Sequence, residues 1–185
     1  MRYPATHKAE VRERIVRAAG KILRRDGLEV LSIPRLMRDV GLTHGGFYNH
    51  FADRDEVVSE ALRSAAQDGA FADVARPFEE AVRKYLSPEH AAHPEMGCVV
   101  AAIGGSGRTE TASVRATIAE VARGFLVRIE RKVSPRASGP RKHVSDEALR
   151  VASQLVGAVV LARAVDDAAL AKRILGAVRA SVLEK

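Results

Sequence analysis

Apolar side chains recur every three to four residues along almost the whole of this chain, and nowhere do they alternate with polar ones. A period of 3.6 buries one face of an α-helix, whereas a half-buried strand needs a period of two, so the pattern predicts an all-α fold. No internal repeat and no Asn-Gly hairpin turn interrupts it. With 185 residues the chain can bury a proper core as one domain or two small ones. Aromatic residues make up 4% and Trp is absent, which argues against a β-sandwich or an aromatic sugar-binding groove. The longest runs without charge, 96–107 and 151–162, fall short of the about 20 apolar residues that cross a bilayer, so no transmembrane helix is expected.

Along residues 8–26, Val11, Ile15, Ala18, Ala19, Ile22 and Leu23 form one helical stripe, and Gly27 ends the helix through its access to the left-handed region. The opposite face is basic: Arg2, Lys8, Arg12, Arg14, Arg17, Lys21, Arg24 and Arg25 stand against Glu10 and Glu13. Most of the net charge of +7 therefore sits at this end, which favours a polyanionic partner, either a nucleic acid or an acidic membrane surface. Ser32 suits the N-cap of a short helix that turns Ile33, Leu36, Met37 and Val40 inward, and Pro34 is tolerated in its first turn. Gly41 stops it, Leu42 enters the core, and Thr43 caps a second short helix with Phe47 and Phe51 on its buried face. The connection is about three residues, as in a helix-turn-helix. Asp53 and Glu56 have the spacing of a capping box for a following helix that carries Val57, Val58, Ala61 and Leu62 towards Gly69.

Further on, residues 78–86 predict a helix closed by Ser87-Pro88 and a polar stretch to Pro94. Val114, Ile118, Val121, Phe125 and Ile129 place a long helix over 109–133, and 134–142, with two Pro and a Gly, is the clearest loop. Ser145 caps a helix over 146–165 that is apolar nearly all round in its middle, and Leu170, Ile174, Val178 and Val182 mark one face of a last helix. So much apolar girth must be covered on two sides. Leu155, Val159, Ala162, Ile174 and Val178 are the expected homodimer interface, against the alternative of a monomeric bundle core.

Enzymatic motifs are missing: there is no nucleophile elbow, no zinc-protease or calcium-loop signature, and the glycines at 104–107 lack the Lys-Ser/Thr ending of a phosphate loop. A non-enzymatic protein without cofactor is expected. His44 and His50 have no Cys or carboxylate cluster to make a metal site, and a single Cys98 excludes an intramolecular disulfide. The membrane reading of residues 8–26 suffers from an apolar face with Ala18 and Ala19 and no Trp or Phe. The first ten residues lack the apolar stretch of a secretory signal, so the expected location is cytoplasmic.

Residues 32–51, SIPRLMRDVGLTHGGFYNHF, preceded by the basic helix and followed by ADRDEVV, resemble the TetR/AcrR family of transcriptional repressors over roughly the first third of the chain. The resemblance implies a three-helix DNA-binding domain at 1–65 containing the helix-turn-helix. It further implies a larger helical bundle at 66–185 that dimerises and binds a small-molecule effector. It implies a repressor that sits on a pseudo-palindromic double-stranded DNA operator and is released by the effector. Met37 and Val40 stand where the family usually has alanines, so the two short helices are expected slightly farther apart.

The residues reach the same site by geometry. With Phe47 and Phe51 inward, Gly45, Gly46, Tyr48 and Asn49 lie on the outward arc with Thr43 and His44 at its leading end, and a helix-turn-helix puts that end against base edges. Asn49 suits an adenine or a phosphate, and Tyr48 a thymine methyl or a phosphate, with packing against the next helix as the alternative for Tyr48. Gly45 and Gly46 either let backbone approach DNA or form a loose turn. His50 is assigned a supporting role, and Arg54 is either a phosphate clamp or a free surface cation. Ser32, Pro34 and Arg35 point to the DNA backbone in the family's arrangement. In the second half, residues 97–103 resemble a run found near effector pockets in a subset of the family. Phe71, Phe78, Met96, Cys98 and Phe125 are the candidate pocket residues. Each is equally suited to ordinary core, and Cys98, with no basic residue within four positions, reads better as a small buried hydrophobe than as a redox sensor.

Overall fold

The computed structural model describes residues 5–134 and 143–184. Among them there is no strand, and nine α-helices follow one another: α1 (Ala5–Asp26), α2 (Ile33–Asp39), α3 (Arg54–Ala65), α4 (Phe78–Tyr85), α5 (Pro88–Ala92), α6 (Val99–Ile103), α7 (Ala112–Val133), α8 (Asp146–Ala164) and α9 (Ala168–Leu183). The second short helix of the expected pair, His44–Asn49, is wound as a 3₁₀ helix between α2 and α3. Apart from Ser134, the predicted loop at 134–142 lies outside the described residues.

Helix ends fall where local chemistry satisfies the orphan backbone groups. Gly27 and Gly41 have φ of +89° and +70°, the left-handed region that a Cβ disfavours, and each turns the chain after a helix. The Thr43 hydroxyl accepts from the Gly46 N–H at 3.3 Å. Asp53 accepts from the Glu56 N–H at 2.8 Å, while Glu56 reaches back to the Ala52 N–H at 2.6 Å, one residue before the cap. Helix α3 stops at Ala65, short of Gly69, because Gln67 and Asp68 N–H groups bond carbonyls three residues back and tighten the chain into a turn. Helix α7 begins at Ala112 because Thr111 takes the cap, and Ser145 caps α8 through Ala148. The polar stretch after Pro88 holds α5, whose first turn is capped by Ser87.

Two apolar cores result. The first joins α1, α2, the 3₁₀ turn and α3, and it also takes Val99, Ile103, Val114 and Val121 from α6 and α7. The second lies among α4, α8, α9 and the later half of α7, where Phe125 and Ile129 enter it. Helix α7 thus belongs to both cores, and the expected division after residue 65 cuts across packed surface.

The expected dimer residues need correction. Leu155 and Val159 are fully buried and Ala162 nearly so, because α8 spends this side of its girth on the second core. Ile174 and Val178 are half-buried at the edge of the same core. The apolar residues left exposed are Leu149, Val160 and Leu161 on α8 and Leu170 on α9. Leu155→Ala should therefore lower the unfolding free energy by about 2–5 kcal/mol, as expected for a cavity in a packed core. Urea denaturation followed by circular dichroism measures this, and a loss below about 1 kcal/mol would contradict a core position.

Candidate nucleic-acid interface and ligand cavity

The 3₁₀ turn hangs on two phenylalanines. Phe47 and Phe51 are buried and stack at 5.3 Å between centroids, which leaves the opposite side of the turn to solvent. There Tyr48 is 58% exposed, its ring edge-on to Phe47 at 5.4 Å and to His44 at 5.8 Å. Thr43, His44, Gly45 and Asn49 are exposed beside it, and Gly46 is half-buried. An added Cβ at Gly45 would meet nothing within 4 Å, so no neighbour in the chain requires glycine there. At Gly46 it would meet Thr43 Oγ1 at 3.4 Å and the Met37 methyl at 3.8 Å, ordinary van der Waals contacts, so the packing does not demand glycine there either. Ser32 sits at the N-cap of α2 but its hydroxyl makes no cap bond and is exposed, next to exposed Pro34.

Several basic residues of this end are tied into the framework. Arg12 of α1 donates to the His50 carbonyl, to Glu56 at 2.8 Å and to Glu60 at 2.5 Å, and its guanidinium lies 4.1 Å over the Phe51 ring. One side chain thereby joins α1, the end of the 3₁₀ turn and α3. Glu56 is held below the usual carboxyl range, first by the Ala52 N–H and then by Arg12. His50 is pushed below the usual imidazole range by burial and by the charges of Lys8, Arg12 and His7, so it is a neutral prop beneath the turn. Arg35 is committed to Asp26 at 2.5 Å. Arg54, expected as a phosphate clamp or a free surface cation, is not free: it donates to the carbonyls of Leu28 (2.7 Å) and Leu31 (3.0 Å) and pairs with the largely buried Glu110 at 2.9 Å. Its place at the start of α3 puts it under the α1–α2 loop, which claims the guanidinium before any ligand.

A cavity of about 610 Å³ opens between the end of α3, α4, α5, α6 and α7. Phe71 and Phe125 form part of its wall, with ring centroids 6.1 Å apart, and Met96 and Cys98 also line it. Phe78 does not; it lies at a shallower groove beside the end of α9, because it starts α4 a full two turns before Tyr85. The position in the cavity belongs to Tyr85, which stands 5.6 Å from Phe71 and 6.1 Å from Phe125. His90 braces this wall. The Cys98 N–H donates to His90 Nε2 at 2.9 Å, which leaves Nδ1 protonated to donate to the Tyr85 carbonyl at 2.5 Å. Arg163 donates to the carbonyls of His90 and Ala91, and Gly97 passes so close that an added Cβ would stand 2.7 Å from the Arg163 guanidinium. Among the described residues no His, Cys, Asp and Glu are grouped to hold a metal, and no helix is long and apolar enough to cross a membrane.

No protein-family model and no curated protein sequence matches this chain. Solved structures do. A TetR transcriptional regulator from Legionella pneumophila superposes with a TM-score of 0.72 at 14% identity, over 98% of this chain and 97% of that one. A TetR-family regulator from Agrobacterium tumefaciens gives 0.71 at 18% identity, over 94% and 98%. The chain has the TetR-family fold. A further relative by structure, from Saccharomonospora viridis, is described as a transcriptional regulator in complex with choline and gives 0.66 at 15% identity, over 96% and 97%.

Placed in the TetR fold, α1, α2, the 3₁₀ turn and α3 make the helix-turn-helix end, and the cavity lies in the helical part behind it. Sequence reasoning missed Tyr85 and His90. Tyr85 was legible as the inward position of the Phe78, Ala81, Val82 stripe; His90 was hidden because α5 has only five residues and no periodicity to read. Burial, and after it the nearby Arg163 charge, lower the His90 pKa, although the Tyr85 carbonyl opposes the shift. The unfolded chain then binds a proton that the folded chain refuses, so stability falls as pH drops through about 6.5. Thermal melts from pH 7.5 to 5 should show this loss, and His90→Gln should flatten it; an unchanged pH profile in the variant would assign the loss to another group. Arg54→Ala should cost about 1–3 kcal/mol by leaving Glu110 and two carbonyls without their donor, again by urea titration.

Proposed function

We propose that this protein is a DNA-binding transcriptional regulator, specifically a repressor that binds a pseudo-palindromic operator as a homodimer and is released when a small molecule enters the cavity. The observation that carries the reading is Tyr48: a large ring, 58% exposed, held out by buried Phe47 on the second element of a helix-turn-helix. A tyrosine that packed against the next helix would be buried. Around it, His44 and Asn49 offer donors and acceptors, and open space at Gly45 suits close approach of a duplex. Lys8, Arg14, Arg17 and Lys21 remain exposed on α1 as a source of attraction to phosphates. Location in the cytoplasm and the absence of catalysis follow from this reading.

The dimer is assigned to the apolar residues that this fold leaves uncovered on α8 and α9, namely Leu149, Val160, Leu161 and Leu170, with Ile174 and Val178 at their margin. Release is supported by shared parts. Asp68 lines the cavity and also pairs with Arg24 of α1 at 3.2 Å, and Arg128 of the cavity wall donates to the Ala66 carbonyl at the end of α3. A ligand that prefers a shifted position of the 66–69 turn moves α1 and α3 with it, and the shift in DNA affinity equals its preference between the two states.

The protein should retard DNA from its own upstream region with an affinity near 10⁻⁸ to 10⁻¹¹ M that falls steeply with salt, whereas equal affinity for random DNA at physiological salt would refute specific binding. Tyr48→Ala should remove that binding with an unchanged melting temperature. Light scattering on Leu161→Glu should report a monomer that has lost operator affinity. A wild-type mass near 20.0 kDa at micromolar concentration would refute the dimer.

A further inference from the structure

The Tyr85 hydroxyl is buried and finds no nitrogen or oxygen partner among the described residues, with only the weakly bonding Cys98 thiol beside it. Its ring is 2% exposed among Phe71 and Phe125, and Cys98 adjoins it. A buried hydroxyl without a partner is a cost to the unliganded fold, and one that disappears when an acceptor arrives. Burial first, and the Cys98 neighbour second, raise its pKa well above the usual phenol range. The group is therefore a neutral donor at any physiological pH.

The charged groups around the cavity are already engaged. Asp68 pairs with Arg24, Arg128 is held by the Ala66 carbonyl and Gln67, and His93 faces Glu95 at 3.4 Å. Both ring nitrogens of His90 are taken by backbone groups. Lys84 and Glu89 are exposed at the rim, carry opposite signs and remain in water. Arg128 has only carbonyl and amide partners but is half-exposed, and Arg163, whose charge reaches Tyr85, does not line the cavity, so a charge brought to the aromatic wall would lose its hydration for at most a solvent-screened or indirect counter-ion. The wall itself, Phe71, Val99, Val100, Val121 and Phe125, is apolar and includes two rings able to meet a third edge-to-face.

We propose that the cavity takes a neutral, ring-bearing molecule of drug-like size that presents a hydrogen-bond acceptor, such as a ring carbonyl, to the Tyr85 hydroxyl. The volume of about 610 Å³ lies within the range of pockets for such molecules. This rests on the regulator reading only for its consequence, release of DNA; the binding chemistry stands on the cavity alone. The hydroxyl is covered in the unliganded chain, so the acceptor reaches it only when neighbouring wall side chains give way. That displacement is what lets the ligand discriminate between two conformations of the same wall.

The test uses three probes of one shape: 9-fluorenone, with a ring carbonyl; fluorene, without it; and fluorene-9-carboxylate, with a charge. Calorimetric or fluorescence titration of the full chain should show fluorenone binding about tenfold or more tightly than either of the others, tenfold being the worth of about 1.4 kcal/mol. Tyr85→Phe removes only the unpartnered oxygen, so the variant should melt no lower than wild type, bind fluorene unchanged and lose the preference for fluorenone. Equal affinity for ketone and hydrocarbon, tightest binding of the carboxylate, a preference that survives in Tyr85→Phe, or no binding of any probe would each overturn the proposal. The regulator reading is judged separately by gel shift: fluorenone bound with the expected preference by a protein that ignores DNA would leave this proposal standing and remove that one.

Discussion

Half of the twelve residues of α3 are buried, because the helix is packed between α1 on one side and α7 on the other. Val57, Val58, Ala61 and Leu62 close the core beneath the helix-turn-helix. The seam with α7 is polar: Asp55 accepts from Thr111 at 2.5 Å, Thr117 donates to Ser59 at 3.2 Å, Arg63 pairs with Glu120 at 3.0 Å, and Arg128 reaches Gln67 at 3.3 Å. The α3 partners Asp55, Ser59 and Arg63 recur every four residues, one per turn, and Gln67 follows just past the helix end. The apolar side fixes α3 to α1 and the helix-turn-helix end, while in the polar seam Ser59 and Thr117 are buried and Arg63 and Glu120 stay exposed.

Arginine does most of the joining at that end. Arg12 ties three elements through two glutamates, a carbonyl and a ring, and Arg54 closes the loop after α1 onto Glu110. Arg24 is almost wholly buried against Asp68. These contacts use the planar, forked guanidinium, which Lys cannot reproduce. The excess of positive charge at the start of the chain thus has two uses. Side chains turned inward hold the frame, and those turned outward, Lys8, Arg17 and Lys21 among them, set the potential that a polyanion meets.

The cavity and the helix-turn-helix end meet at the turn after α3. Residues 66–69 carry the last carbonyl held by Arg128 and the carboxylate held by Arg24, and the same residues border the cavity. One turn thus separates the cavity from α1. On the far wall His90 is tied to Tyr85, Cys98 and Arg163.

Periodicity and capping chemistry by themselves determined the helical class, the helix-turn-helix, the inward Phe47 and Phe51 and the outward Tyr48, because each rests on residues within a few positions of one another. Helix ends at Gly27, Gly41 and Ser145 were local for the same reason. What only the tertiary structure decided was where partners distant in sequence meet. Arg54 resembled a free cation until Glu110, 56 residues away, claimed it. The apolar girth of α8 was legible, but which side of it faces its own chain depended on α4, α7 and α9, and they claimed Leu155 and Val159. Tyr85 and His90 became a cavity wall only through the end of α3, α6 and α7, since a pocket is defined by the gap between elements and no single element's pattern records it.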